Sequence, residues 1–305
     1  MKGNWRSLPV IVILAIIWGS SFILMKRGMF AFDANGIQVP VFSPNQVAAL
    51  RLGIASLVML PFAFIFKSWL KRELIWWYVV VGMLGSGIPA FLFTNSQMFL
   101  HSSMSGILNA LTPLFTLIVG YLVFKKSVRK MQIVGVTLGL IGAVCLISLR
   151  GLGDSKNMAY SMLIVLATIS YGFSVNTIHS KLHGVPSFAI SAFSLLVIGI
   201  PCWILIATDG TLDILETNVH GWRSFGFVAT LAILSTALGN ILFFRFTQKV
   251  GALAASSITY LIPIVAILWG VYDGEPFTWL HGAFAGIILT GIYLVNKQPA
   301  SRFTK

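Results

Sequence analysis

The residues able to do chemistry are polar side chains set inside long apolar stretches. Trp18 and Ser21 stand three apart, as do Asn109 and Thr112 beside Pro113. Thr236 and Asn240 are four apart, Tyr171 and Asn176 share one stretch, Thr259 and Tyr260 precede Pro263, and Asn95 stands in another. On a helix, a spacing of three or four puts both side chains on one face. Indole, amide and hydroxyl groups in an otherwise apolar cavity are what orients a small organic solute. Each can instead make a helix–helix hydrogen bond, worth about 0.6 kcal/mol on average. Arg51 differs because a guanidinium facing lipid is costly and must face protein or water. It can contact a carboxylate or phosphate, pair structurally with helix-end carbonyls, or snorkel toward a surface.

Other chemistries are missing. No Asp or Glu lies within an apolar stretch, and His101, His179, His183, His220 and His281 fall at stretch ends or in connections. Many proton- or sodium-coupled carriers use intramembrane carboxylates, so a facilitator or exchanger is the expectation. No phosphate-binding loop, metal-ligand spacing or catalytic grouping occurs. No metal site and no cofactor are expected, and an ATP-driven pump would need a nucleotide module that is absent. Cys145 and Cys202 both sit in apolar stretches, which argues against a disulfide framework.

These residues must be positioned by membrane helices. The chain of 305 residues is 57% hydrophobic and only 10% charged, with mean hydropathy +0.90. Soluble domains carry roughly 25% charged residues. Lipid must therefore cover most of the outside, and the continuous apolar runs fit helices, whereas a barrel needs alternation. The fold expected is an all-α integral membrane protein with ten transmembrane helices. The spans read as 8–25, 44–66, 74–97, 103–124, 131–149, 158–179, 187–207, 224–246, 252–272 and 279–296. Lys2 and Arg6 precede the first apolar run, which ends at Lys26–Arg27 without a cleavage motif and so reads as an uncleaved helix.

The net charge of +13 does not signal nucleic acid, because the basic residues lie in short connections. With the N-terminus inside, Lys67, Lys71, Arg72, Lys125, Lys126, Arg129 and Lys130 are cytoplasmic, with both basic termini. Asp33, Asp154, Asp209, Asp213, Glu216, Asp273 and Glu275 then lie outside, leaving Glu73 inside. That split predicts cytoplasmic N- and C-termini and a plasma (inner) membrane location.

The halves 1–150 and 151–305 resemble each other. Leu111, Pro113 and Gly120 match Leu261, Pro263 and Gly270, and Gly85–Ser86–Gly87 falls on Ser235–Thr236–Ala237. Trp18–Gly19 matches Tyr171–Gly172, and Pro61 matches Pro201. Five spans per half make the second copy inverted, the plan of alternating-access carriers with a midplane site. Gly135-x-x-x-Gly139 and Gly282-x-x-x-Gly286 suit close helix packing, either inside one molecule or at a homodimer surface. Pro89, Pro113 and Pro263 predict kinks.

Trp18-Gly19-Ser20-Ser21-Phe22, Ala48-Ala49-Leu50-Arg51, the Ser105–Pro113 stretch and Gly274-Glu275-Pro276-Phe277-Thr278, in this order, resemble the EamA-type carriers of the drug/metabolite transporter superfamily. The resemblance covers nearly the whole chain. It implies two inverted five-helix repeats around a cavity lined by spans one, three, four, six, eight and nine, with export or exchange of small solutes. It also favours a structural role for Arg51, since family members share an arginine there while their solutes differ. The family's glutamate after span four is replaced by Lys126, and Glu275 and Lys126 read as topology or loop-packing residues. The expected function is transport of small metabolites such as amino acids or related amphiphilic compounds, with metabolite and membrane lipid as the partners. The alternatives are a lipid or lipid-linked-sugar flippase, or a non-transporting scaffold or sensor. A lipid-modifying enzyme would need an acid or histidine cluster at one interface, and none occurs.

Overall fold

The computed structural model describes residues 8–148 and 155–296. Lys2, Arg6, Asp154, Lys297, Arg302 and Lys305, used above for orientation, lie outside the described residues. Most of the described residues are helical. Among them, eight helices are long and apolar enough to cross a membrane: α1 (Pro9–Met29), α2 (Pro44–Ile65), α3 (Arg72–Ser96), α4 (Ser102–Leu122), α6 (within Ser155–Lys181), α7 (Ser187–Thr208), α8 (Gly221–Val250) and α9 (Ala252–Tyr272). Two further apolar helices, α5 (Lys130–Ser148) and α10 (Trp279–Asn296), pack on each other. Their seam is glycine against glycine. A Cβ on Gly291 would lie 2.5 Å from the carbonyl oxygen of Gly135 and from the nitrogen of Gly139. Gly135 and Gly139 thus pack within the monomer, while Gly282 and Gly286 stand away from that seam.

Local chemistry starts the helices where the chain changes polarity. Ser43 caps α2: its hydroxyl accepts from the Gln46 amide at 3.2 Å, and the Gln46 side chain accepts from the Ser43 amide at 2.8 Å. Pro44 follows in the first turn, where its missing N–H costs nothing. The Gln46 amide group also donates to the Asp209 carbonyl at 3.1 Å, tying α2 to the end of α7.

Two connections are more ordered than expected. Residues 26–43 read as a polar loop, yet α1 runs on to Met29 and a two-stranded antiparallel hairpin follows, Phe30–Phe32 on Gln38–Pro40. Asp33 holds its turn by accepting from the amides of Asn35 and Ile37, and Gly36 supplies the left-handed residue (φ 75°). The 208–223 stretch contains a short helix, Thr211–Thr217.

The helices pair in a balanced way. α2 packs on α7, α4 on α9, and α5 on α10. The α3–α6 contact has a counterpart in α1–α8, α4–α6 in α1–α9, and α2–α8 in α3–α7. The outer faces stay apolar, with Phe64, Ile65, Trp76, Ile200, Leu268 and Trp279 all largely exposed. An apolar exterior of this extent needs lipid around it.

Several helices depart from α geometry, and they do so in matching places. α3 holds a π turn at Met83–Gly87 and α8 one at Leu231–Leu238. These are the stretches that matched between the two halves. α1 breaks at Ser20, α4 between Asn109 and Thr112, and α9 passes through a 3-10 segment at Ser257–Tyr260. Pro113 and Pro263 stand in the first turn after their breaks, and Pro89 follows the first π turn. Proline has no N–H to continue the ladder, so the chain restarts a helix there.

Candidate functional site

The breaks and π turns surround a cavity of about 90 Å³, room for several water molecules. Seven helices reach it. α1 contributes Trp18, Ser21, Phe22 and Met25; α2 contributes Arg51; α3 contributes Gly85, Ser86 and Phe93. α4 adds Asn109 and Thr112, α6 adds Tyr171, Ser174 and Val175, α8 adds Ser235, Asn240, Phe243 and Phe244, and α9 adds Thr259. Most of these lie near the middle of their helices, so the cavity sits halfway through the bundle.

Non-α backbone leaves main-chain groups without their usual partners, and side chains take them up. Trp18 donates its indole N–H to the Ser235 carbonyl, in the α8 π turn, at 3.0 Å. Ser21 and Ser235 share a hydroxyl–hydroxyl bond of 2.9 Å, and both reach back to the Ile17 carbonyl at 3.1 Å. Across the cavity, the Asn240 amide donates to the Ser86 hydroxyl at 3.0 Å, joining one π turn to the helix that carries the other. Gly19 is required where α1 crosses α9: a Cβ there would meet the Cβ of Val265 at 2.4 Å.

Arg51 Nε donates to the Thr236 hydroxyl at 2.7 Å, and Nη1 approaches the Met25 sulfur at 3.8 Å. The Tyr171 ring lies within electrostatic reach of the guanidinium. Thr112 donates to the Asn109 carbonyl at 2.8 Å and Thr259 to the Ser256 carbonyl, so both hydroxyls serve the broken helices first.

Eight residues singled out from sequence line the cavity: Trp18, Ser21, Arg51, Asn109, Thr112, Tyr171, Asn240 and Thr259. Three do not. Asn95 lies further along α3 and bonds Asn45 and the Phe91 carbonyl at 2.9 and 2.8 Å. Asn176 is buried, donates to the Thr116 and Gly172 carbonyls, and accepts from Lys126 at 2.9 Å. Tyr260 packs against the neighbouring apolar core. Their polarity is spent on packing helices. Ser86, Ser174 and Ser235 line the cavity as well; the small-residue triplets 85–87 and 235–237 are the sequence signal for two of them. The phenylalanines gave none, being 23 in number.

Two loops close the bundle ends. Glu275, after α9, accepts from the amides of Ser102 and Ser103 at 2.9 and 3.0 Å, from the Ser103 hydroxyl at 3.0 Å, and from Lys26 at 3.1 Å. Burial opposes its charge, but the bonds from Ser103, Ser102 and Lys26 outweigh burial and hold its carboxyl below the ordinary glutamate value. Lys26 also pairs with Asp273 at 2.6 Å, and Arg27 donates to the same carboxylate. At the other end, Lys126 follows α4 with the single bond to Asn176, and burial pushes its ammonium down. The loops match in backbone: the Lys126 and Glu275 amides donate to the Gly120 and Gly270 carbonyls, both at 2.9 Å. The preceding Lys125 and Gly274 both have positive φ.

A lipid-clad helical bundle with a polar cavity at its broken helices belongs to the class of multi-pass membrane transporters. The EamA-like transporter family model matches residues 5–148 and 158–297, and the chain belongs to that family. An "uncharacterized transporter" of Archaeoglobus fulgidus is 23% identical over 88% of this chain and 94% of its own length. The "uncharacterized inner membrane transporter YedA" of Escherichia coli strain K12 is 25% identical over 93% of this chain and 88% of its own. YetK of Bacillus subtilis, also named as a transporter, is 27% identical over 86% and 81%. A solved crystal structure aligns with TM-score 0.63 at 14% identity, covering 96% of this chain and 98% of that one, which supports the fold alone.

Proposed function

We propose that this chain carries small amphiphilic metabolites, amino acids or related compounds, by export or exchange through alternating access. The observation that carries the reading is the cavity at mid-bundle, bounded by helices interrupted in matching places. Discontinuous helices meeting at the midplane are how carriers offer backbone and side-chain dipoles to a solute without exposing them to lipid. The reading takes residues 1–150 and 151–305 as inverted five-helix repeats, with α5 and α10 as the fifth span of each. The paired helix contacts and the family match to two successive stretches support it. The charge distribution supports cytoplasmic termini in an inner membrane, which places the Lys26–Asp273 network outside and Lys126 inside. The absence of carboxylates from the cavity lining supports a facilitator or exchanger.

An apolar groove between α2, α3 and α7, lined by residues such as Leu52, Phe91 and Ile198, is the feature that speaks for a lipid flippase. It holds no group able to bind a headgroup, so the central cavity is the better solute site.

Counterflow in proteoliposomes tests the reading. Purified protein preloaded with an amino-acid and organic-acid mixture should accelerate entry of labelled solute, and Asn109→Ala should lower that rate at equal abundance. Tyr260→Ala, outside the cavity, should change it less. Protein-independent flux for every solute would overturn the proposal.

A further inference from the structure

The cavity is electrostatically one-sided. Arg51 is the charged side chain that lines it, and no Asp or Glu does. Arginine offers five N–H donors and stays protonated. Its partners here are a threonine hydroxyl and a thioether sulfur, which is a weak acceptor. No helix-end carbonyl is among those partners, and the Thr236 bond uses one of the donors to join α2 to α8. Among the described residues, the ion pairs join only Lys26 and Arg27 to Asp273 and Glu275. Arg51 therefore keeps donors for the cavity and an uncompensated charge in the membrane interior, where charge is costly.

Asn109 also lines the cavity; its oxygen takes a long 3.5 Å contact from Thr112, and its NH₂ is a further donor group there. The Tyr171 hydroxyl stands nearby. Trp18, Phe22, Phe93, Phe243 and Phe244 give the cavity an aromatic lining, with Phe93 stacked on Tyr171 at 6.1 Å and Trp18 edge-on to Phe243 at 4.9 Å.

We propose that Arg51 holds the carboxylate of the transported solute, with Asn109 and Tyr171 beside it, so that the chain prefers small organic monoanions with an apolar or aromatic body. This rests on the carrier reading and, within its amphiphilic metabolites, favours carboxylic acids without an amino group over the amino acids themselves. The planar fork of a guanidinium matches carboxylate and phosphate alike, but the single charge of Arg51 balances a monoanion and leaves a phosphate dianion with net charge in the cavity. A zwitterion brings an ammonium for which the cavity has no counter-charge, and a cation is repelled.

The test uses four compounds sharing one body: 3-phenylpropionate, phenylalanine, phenethylamine and 3-phenylpropanol. Binding to the full chain in detergent is read by thermal shift titration, and transport by counterflow in liposomes. The acid should bind best, and Arg51→Gln should weaken it about tenfold or more relative to the alcohol. Arg51→Lys should keep the preference in weakened form. Asn109→Asp, which adds a negative charge without touching Arg51, should abolish the preference and serves if Arg51→Gln fails to fold. Failure of the acid to bind better than the alcohol, or an unchanged acid-to-alcohol ratio in folded Arg51→Gln, overturns the proposal. Selective acid binding without flux of any compound would uphold the anion site and sink the carrier reading. Flux of phenylalanine or the amine that ignores Arg51 would do the reverse.

Discussion

Glu275 and Lys126 occupy the same place in two loops of like backbone, one at each end of the bundle, and their surroundings could hardly differ more. Glu275 gathers the start of α4 and the end of α1 through four hydrogen bonds and shares Lys26 with Asp273. The Lys126 side chain makes one hydrogen bond, to an asparagine on α6, and lies 6.0 Å over the Phe124 ring. A buried carboxylate that accepts amide N–H groups and faces a lysine is strongly held, since removing it strands several donors at once. A half-buried lysine with a neutral partner has little to lose. If the bundle opens alternately, the Lys126 end is the looser one at rest, and the Glu275 end must break ion pairs to part.

Substitutions can break this asymmetry, and Glu275→Gln should do most. Leaving the serine amides without their anion, and Lys26 with Asp273 alone, is expected to cost about 3 kcal/mol, seen as a marked fall in apparent Tm and in membrane abundance. Glycine replacement comes next. A Cβ on Gly270 would lie 2.5 Å from Glu275 Oε2 and 3.1 Å from Ser103 Cβ, whereas one on Gly120 meets its nearest atom at 3.2 Å. Gly270→Ala should cost about 1–3 kcal/mol by overpacking, and Gly120→Ala clearly less. Equal Tm losses would remove the asymmetry.

Acidification sharpens it further. Glu275 ionises below its ordinary value of 4.5, so its contribution is fully present above that pH and drains away as pH falls through the lowered value. Tm followed from pH 7 to pH 3 should drop more steeply for the parent than for Glu275→Gln within that window. Lys126→Gln should have the smallest effect, within about 1 kcal/mol, by the same thermal assay.

Much of the helix placement was readable because long apolar runs have few interpretations in lipid. The run expected at 44–66 is the helix Pro44–Ile65, and that at 187–207 is Ser187–Thr208. The errors have physical causes. Lys26 and Arg27 looked like the end of the first span, but carboxylates from α9 meet them, so the helix continues to Met29. The hairpin at 30–40 escaped notice because three-residue strands carry no alternation to detect. Polarity within a span could be read, but not its facing. Asn109 and Asn176 look alike in sequence, yet one lines the cavity and the other bridges α4 and α6. Arg51 was visible as an oddity, with an anion contact and a structural role both open, and its partners, a hydroxyl and a thioether sulfur, are what the proposal of an anion contact rests on.

The acceptor that receives Trp18 is the main-chain oxygen at position 235, turned aside by the π turn of α8. An oxygen of the peptide backbone is supplied by every amino acid. Evolution can therefore rewrite the side chain at that position and retune the cavity's size or polarity, while the dipole that steadies the indole is inherited unchanged.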